Sequence, residues 1–100
     1  MRITVFTPAY NRGYIIEKLY RSLQNQTFRN FEWLIIDDGS SDNTSEKIQS
    51  FIQDNNDFPI IFEKVENGGK HRAINLGVQK ARGELFFIVD SDDYLTNTSL

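Results

Sequence analysis

Short runs of apolar residues alternate along the chain with segments in which apolar residues recur at helical spacing. Four of these runs predict strands, at about residues 3–7, 32–36, 60–64 and 85–89. The first strand is expected to end at Pro8, because the fixed φ and missing N–H of proline do not suit a central ladder. The last run is apolar enough to predict burial on both faces, as in a parallel sheet.

Three amphipathic helices are predicted between the strands. The first covers about residues 13–25, the second begins near the N-cap Asn43 with Glu46 three residues later, and the third lies between Gly68-Gly69 and Gly83. Apolar residues at helical spacing predict the buried faces of the three helices. They are Ile15, Ile16, Leu19, Leu23, Ile48, Phe51, Ile52, Ala73, Ile74, Gly77, Val78 and Ala81.

This βαβαβαβ pattern predicts an α/β fold, a Rossmann-like three-layer sandwich with helices on both faces of a parallel sheet. The expected strand order is 3-2-1-4, and residues 1–100 fit one domain. In such a fold the loops after strands one, two and four meet the start of helix three at one end of the sheet. That end is where doubly wound folds bind ligands.

Composition narrows the classes of function. The chain has 39% hydrophobic residues, 25% charged residues and a formal net charge of -3, which indicates a globular protein without a basic field for nucleic acid. Cysteine is absent, which excludes disulfides and thiolate metal sites. The first residues enter a strand without a signal-peptide pattern, so we expect this stretch to be cytoplasmic or on the cytosolic face of a membrane.

The sequence Asp90-Ser91-Asp92-Asp93 follows the last predicted strand directly. Three carboxylates this close repel one another unless they are solvated, protonated or neutralised by a cation. Asp90 and Asp92 are one residue apart in an extended segment and therefore lie on the same side. Oxygen ligands alone suit Mg²⁺ or Mn²⁺. We expect a metal here, with Asp93 the less certain ligand and a capping turn as the alternative.

The acidic turn Asp37-Asp38-Gly39-Ser40-Ser41-Asp42 follows the second predicted strand. Such residues also serve as turn and cap residues in any protein, and this is the alternative interpretation. The functional interpretation is that Asp37 accepts hydrogen bonds from a base or ribose. Asp38 then assists it or faces solvent.

Three potentially cationic side chains, Lys70, His71 and Arg72, follow Gly68-Gly69 in the first turn of the third predicted helix. Their position opposes the helix dipole, so local stability does not favour it. A diphosphate would favour it, because glycines allow close approach while Lys70 and Arg72 supply charge. The alternative is a solvated basic turn, and His71 is retained only as a phosphate or metal-side contact.

The segment Thr7-Pro8-Ala9-Tyr10-Asn11-Arg12 lies at the end of the first predicted strand. Pro8 fixes the direction of the chain, Ala9 leaves room for a ligand, and Tyr10 can stack on a flat base. Alternatively, Tyr10 covers the end of the sheet as part of the core. Trp33, inside the second strand, is predicted to be core.

Taken in order, these motifs resemble those of the family 2 inverting glycosyltransferases of GT-A fold. They are Thr-Pro-Ala-Tyr-Asn, Ile-Ile-Asp-Asp-Gly-Ser-Ser-Asp-Asn-Thr, Asn-Gly-Gly-Lys with Ala-Ile-Asn-Leu-Gly, Ala-Arg-Gly-Glu, and Asp-Ser-Asp-Asp. The resemblance implies a site for a nucleotide-diphosphosugar, most commonly a UDP-sugar. It implies Asp37 on the base and Asp90-Ser91-Asp92 as the D-x-D motif, in which Asp90 contacts the ribose and Asp92 holds the metal. The nucleotide would also meet Thr7, Pro8, Ala9, Tyr10, Arg12, Asp38, Lys70 and Arg72.

Members of that family are longer than this chain, and their second half supplies the acceptor pocket and the general base. The resemblance therefore implies that residues 1–100 are the donor-binding part, truncated after the D-x-D motif, with the general base beyond Leu100. We expect this part to transfer sugar inefficiently by itself to a saccharide or lipid-linked acceptor. With strand order 3-2-1-4, the last strand is an edge, and we expect self-association through Leu85 to Val89.

Three other functions share parts of this pattern. A non-catalytic nucleotide-sugar-binding module needs the donor site but no acceptor site. A phospho-acceptor receiver domain has its acid pair after strand one, where this chain has Thr7-Pro8. A nucleotidyltransferase usually carries a glycine-rich basic loop after strand one, which this sequence lacks.

Overall fold

The structure, a computed structural model, describes residues 2–54, 57–91, 93 and 95. Its four strands form one parallel sheet in the order β3-β2-β1-β4, and the predicted α/β architecture is confirmed. The strands begin and end within one or two residues of the predicted limits, whereas the first helix begins three residues later than predicted. The elements are β1 (Ile3–Ala9), α1 (Ile16–Gln24), β2 (Phe31–Asp37), α2 (Thr44–Asp54), β3 (Ile60–Lys64), α3 (Lys70–Lys80) and β4 (Leu85–Ile88).

Helices cover the two faces of the sheet and create two apolar layers. Alternate residues of a strand point to opposite faces, so Val5 and Trp33 face α1 and α2 while Phe6 and Leu34 face α3. Trp33 is fully buried, as predicted for a core residue. The result is the predicted three-layer sandwich, with the larger layer of side chains between the sheet and α1 and α2.

Pro8 lies inside β1, so the prediction that it ends this strand is wrong. Pro8 pairs in register with Ile36 of β2, and β1 continues to Ala9. The oxygen of Phe6 accepts the N–H of Val89, whereas the oxygen of Ala9 accepts the N–H of Asp38. Backbone groups of alternate residues therefore face opposite neighbours, and Pro8 has the same orientation as Phe6. Its missing N–H faces the β4 side and leaves the pairing with β2 intact.

The prediction that the last strand is buried on both faces is wrong for this structure. Leu85, Phe87 and Ile88 are each more than 40% exposed, whereas every residue of β2 is buried. Val78 of α3 is also exposed, contrary to its predicted place on the buried stripe. The reason is that α3 packs against β2 and β1, which leaves β4 as a thinly covered edge.

A buried carboxylate joins three elements at the amino ends of the strands. Glu32 of β2 is fully buried and accepts the hydroxyl of Thr4 at 2.6 Å and the N–H and Nε of Arg82 at 2.7 and 2.9 Å. Burial opposes ionisation, but the hydrogen bonds from Thr4 and Arg82 outweigh it and lower the pKa of Glu32. This cluster connects β1, β2 and the segment before β4, at the end of the sheet opposite to the predicted site.

Among the described helices, none combines the length and the apolar character that are needed to cross a membrane.

Candidate functional site

A cavity of about 430 Å³ opens at the carboxyl ends of β1, β2 and β4. This position is the one at which parallel α/β sheets bind ligands. Its volume lies in the range typical of small-molecule sites. The cavity is lined by Pro8, Ala9, Tyr10, Arg12, Asp38, Asn67, Ala73, Asp90 and Ser91.

The two acids at the carboxyl end of β2 differ in orientation. Asp37 is fully buried, and its carboxylate accepts the N–H of Ser40 at 3.0 Å and the hydroxyl of Ser45 at 2.9 Å. Asp38 instead lines the cavity and accepts the N–H groups of Gly68 and Gly69 at 2.8 and 3.1 Å. The structure therefore directs Asp37, the acid that we expected to meet the base, into the fold, and places its neighbour at the ligand cavity.

Two residues of the segment after β1 form one side of the cavity. Tyr10 is 45% exposed, so its ring is accessible to a ligand. The guanidinium of Arg12 donates to the backbone oxygen of Tyr10 at 3.2 Å. Thr7 lies apart from them, because its side chain points to the opposite face of the sheet and accepts the indole N–H of Trp33 at 2.9 Å. Of the predicted contacts in this segment, Pro8, Ala9, Tyr10 and Arg12 line the cavity and Thr7 does not.

The start of α3 borders the cavity beside Asp38. A Cβ at Gly68 would lie 2.4 Å from Cδ of Arg72, so the missing side chain allows Arg72 to lie across this turn. Arg72 and His71 are exposed and are not among the residues that line the cavity. The side chain of Lys70 lies outside the described part of the structure.

The acidic segment after β4 reaches the other side of the cavity. Asp90 and Ser91 line the cavity, and Ser91 is buried. The N–H of Asp93 donates to the oxygen of Asp90 at 3.0 Å, which closes a turn. Asp92 lies outside the described residues, and the described residues include no group of three or more acidic or histidine side chains arranged to hold a metal. The oxygen donor of Asp90 at the cavity suits a hard divalent cation.

Asn67, Ala73 and Asn11 are not among the site residues that the sequence predicts. Asn67 and Ala73 line the cavity. Asn67 is held next to the acidic turn because Gly39 has φ 76° and a Cβ there would lie 2.8 Å from the nitrogen of Asn67. Asn11 has φ 52° and bonds to the segment after β2. Asparagine tolerates the left-handed region better than most residues, so its presence in this segment was a signal for a turn between Tyr10 and Arg12.

These features define a class of protein: a parallel α/β domain with a polar ligand cavity at the carboxyl ends of its strands. The model of glycosyl transferase family 2 matches residues 4–100, and the chain belongs to this family. The resemblance seen in the sequence motifs is thereby confirmed.

Two curated relatives illustrate the similarity. The chain is 36% identical over 91 residues to glycosyltransferase GlyG of Streptococcus pneumoniae, covering 91% of this chain and 30% of that protein. It is 31% identical over 99 residues to the GalNAc(5)-diNAcBac-PP-undecaprenol beta-1,3-glucosyltransferase of Campylobacter jejuni, covering 99% of this chain and 32% of the relative. The chain thus spans about a third of the length of these proteins.

Solved structures have the same fold. Staphylococcus aureus TarS 1-349 in complex with UDP matches with a TM-score of 0.90 and 29% identity, over 99% of this chain and 30% of that one. The mannosyltransferase PcManGT of Pyrobaculum calidifontis, in complex with GDP-Man and Mn²⁺, matches with a TM-score of 0.88 and 28% identity, over 93% and 28% of the two chains. The predicted GT-A nucleotide-binding architecture is therefore confirmed.

Proposed function

We propose that this chain binds the nucleotide-diphosphosugar donor of a metal-dependent, inverting glycosyl transfer. The observation that carries the proposal is the cavity at the carboxyl ends of β1, β2 and β4, in which an aromatic ring, a guanidinium and two carboxylates converge. The complexes of TarS with UDP and of PcManGT with GDP-Man and Mn²⁺ support it. The names of the relatives, a glycosyltransferase and a glucosyltransferase, favour glycosyl transfer over a non-catalytic binding module.

The base is assigned to the side of the cavity formed by Tyr10 and Asp38. The exposed ring of Tyr10 offers a stacking surface. The carboxylate of Asp38 can accept further hydrogen bonds beyond those from Gly68 and Gly69, because each ionised oxygen has two lone pairs. Asp37 supports this arrangement from inside the fold and does not contact the base, which revises the role that its sequence motif suggested.

The diphosphate is assigned to the region between α3 and the acidic segment, with Lys70 and Arg72 as its cationic partners. Asp90 and Asp92 would hold Mg²⁺ or Mn²⁺, and we propose that Asp90, which lines the cavity, also contacts the ribose. A bound cation would stabilise the negative charge of the departing nucleoside diphosphate. The residues of this chain bind and orient the donor, and Ser91 supplies a buried polar contact beside it.

We propose that the acceptor is a saccharide or a lipid-linked saccharide. Its binding site, and the general base that deprotonates it, are proposed to lie outside residues 1–100. The support for this is that relatives such as GlyG are about three times as long as the matched segment. We propose that the reaction takes place in the cytoplasm, or on the cytosolic face of a membrane, where nucleotide sugars are available.

The test is a titration of UDP, GDP, TDP and their sugars with and without Mn²⁺. We expect binding that Mn²⁺ strengthens, and that Asp92→Asn weakens by about tenfold because one charged oxygen ligand is lost. Glu84→Gln is the matched control, since Glu84 lies at the opposite end of β4 and pairs with Arg2. Metal-independent binding that Asp92→Asn leaves unchanged would refute the proposed metal site.

A second assay addresses transfer itself. We expect the chain to bind donor but to turn over slowly with a panel of saccharide acceptors, because the acceptor site and the base are proposed to lie elsewhere. Rapid transfer by residues 1–100 would contradict the assignment of a donor-binding part.

The exposed edge formed by β4 is proposed to allow self-association. In the part of the chain that the structure describes, β4 is an edge strand, and Leu85 and Phe87 expose apolar surface along it. Sedimentation at increasing concentration should show association that Phe87→Lys reduces. A monomer at high concentration would contradict this proposal.

A further inference from the structure

The segment between Tyr10 and Gly13, here called the β1 loop, is attached to the segment between Asp38 and Asn43, here called the β2 loop. Three consecutive N–H groups of the β1 loop point to the β2 loop and the start of α2. Those of Asn11, Arg12 and Gly13 donate to Ser40 Oγ at 2.8 Å, Thr44 Oγ at 3.0 Å and Asp42 Oδ2 at 3.2 Å.

Asn11 is the centre of this attachment. Its side-chain oxygen accepts the N–H of Ser41 at 2.8 Å and that of Asp42 at 3.3 Å. Its own N–H meets the hydroxyl of Ser40, which in turn donates to the buried carboxylate of Asp37 at 2.5 Å. One residue of the β1 loop is thus connected through Ser40 to the interior of the fold.

The backbone conformation of Asn11 explains why the neighbouring side chains reach the ligand cavity. At φ 52° the chain turns in the left-handed region, which asparagine tolerates better than most residues. Tyr10 and Arg12, on the two sides of this turn, both line the cavity, while Asn11 bonds to the β2 loop. The residue between the two ligand-facing side chains therefore supplies the side-chain bonds that attach the β1 loop to the β2 loop.

We propose that Asn11, acting through Ser40 and the backbone of the β2 loop, is a positioning residue that holds Tyr10 and Arg12 ready for the nucleotide. This inference rests on the proposed donor site. A loop that is ordered before binding loses less conformational entropy when the ligand arrives, so the attachment raises affinity without touching the ligand. Asn11 affects donor binding and has no part in the chemical step.

The central variant is Asn11→Gly, because glycine adopts the left-handed turn without strain and lacks the amide that bonds to the β2 loop. In the ligand-free protein we expect the N–H groups of Arg12 and Gly13 to exchange with solvent about tenfold faster. We expect the Kd of UDP to rise about fivefold, and in a transfer assay the KM for the donor to rise with kcat unchanged. Ser40→Ala should also raise the Kd of UDP. The double variant should have a Kd no higher than that of the single variant with the larger effect, because both substitutions break the same attachment.

Asn25→Gly is the matched control, since Asn25 follows α1 and is exposed. It makes the same change in the unfolded chain and should leave both the exchange of the β1 loop and the Kd unchanged. Faster exchange in Asn11→Gly with an unchanged Kd would overturn the positioning role alone. Absence of nucleotide binding by the unaltered protein would overturn the proposed function as well, and unchanged exchange would overturn the attachment itself.

Discussion

The two neighbours of β1 have similarly apolar sequences but very different environments. Phe31–Asp37 of β2 is buried along its whole length and pairs with all seven residues of β1. Leu85–Ile88 of β4 pairs with only four and leaves three of its own residues exposed. The difference shows that an apolar run predicts a strand, while the coverage by helices decides how much that strand contributes to stability. We therefore expect the side of the sheet that carries Asp90 to be less stable than the side that carries Asp38.

The largest effect is expected from a residue on the buried side. Trp33→Ala should lower the free energy of unfolding by about 3–5 kcal/mol, because it leaves a cavity beneath α1 and α2. Urea denaturation measures this change. Thr7→Val, which removes only the partner of the indole N–H, should cost about 1 kcal/mol. A similar small loss for Trp33→Ala would mean that this side is not the main source of stability.

The Glu32 cluster connects the two sides, and its removal should have the next largest effect. Glu32→Gln is expected to cost about 2 kcal/mol at pH 7, because the charged acceptor of Thr4 and Arg82 is lost. Since the pKa of Glu32 is lowered in the folded state, its stabilisation is present above the ordinary glutamate pKa of 4.5. It is lost as the pH falls through the lowered folded value. Denaturation at pH 7 and pH 3 should show a difference between variant and parent that shrinks in acid.

The contact between α3 and β1 tests how closely the second layer packs. A Cβ at Gly77 would lie 2.4 Å from the ring of Phe6, so Gly77→Ala should cost about 1.5 kcal/mol by forcing the helix away from the sheet. Gly69→Ala is a useful comparison, because nothing lies within 4 Å of a Cβ there and only the backbone at φ 91° is strained. Thermal denaturation measures the loss of stability of each variant. NMR should show a change in the environment of the Phe6 ring for Gly77→Ala and none for Gly69→Ala.

The smallest effect on stability is expected on the exposed side. Phe87→Ser should lower the free energy of unfolding by only about 1 kcal/mol, since the ring is 44% exposed and the substitution removes only part of a full burial. A loss comparable to that of Trp33→Ala would show that β4 is covered in solution and would remove the contrast between the two neighbours of β1.

The order and type of the elements were predictable because each is specified by a repeated local pattern. Ile16, Leu19 and Leu23 recur at helical spacing, and all three are buried as expected. The exposure of Val78 was not predictable in the same way. It depends on which strands α3 covers, and a helical stripe does not specify how far the neighbouring sheet extends.

The candidate site was predictable as a place and less so as a set of side chains. Carboxyl ends of parallel strands meet at one edge, so the segments after β1, β2 and β4 could be brought together from topology alone. The choice between Asp37 and Asp38 depends on a difference of one residue at the end of a strand. The orientation of Thr7 depends equally on the parity of β1. Both orientations are fixed by hydrogen bonds to Ser40, Ser45 and Trp33, and a sequence pattern does not show which side chains form these bonds.

Pro8 has an effect on a strand to which it does not belong. In this parallel pairing, the bond that would follow Phe6 in the ladder requires an N–H from residue 8 to reach the oxygen of Val89. Proline has no such donor, so the pairing of β4 with β1 ends at the bond from the N–H of Val89 to the oxygen of Phe6, just before Asp90. A proline in β1 thus limits the length of its neighbour β4. The acidic segment that follows β4 can therefore depart from the regular geometry of the sheet.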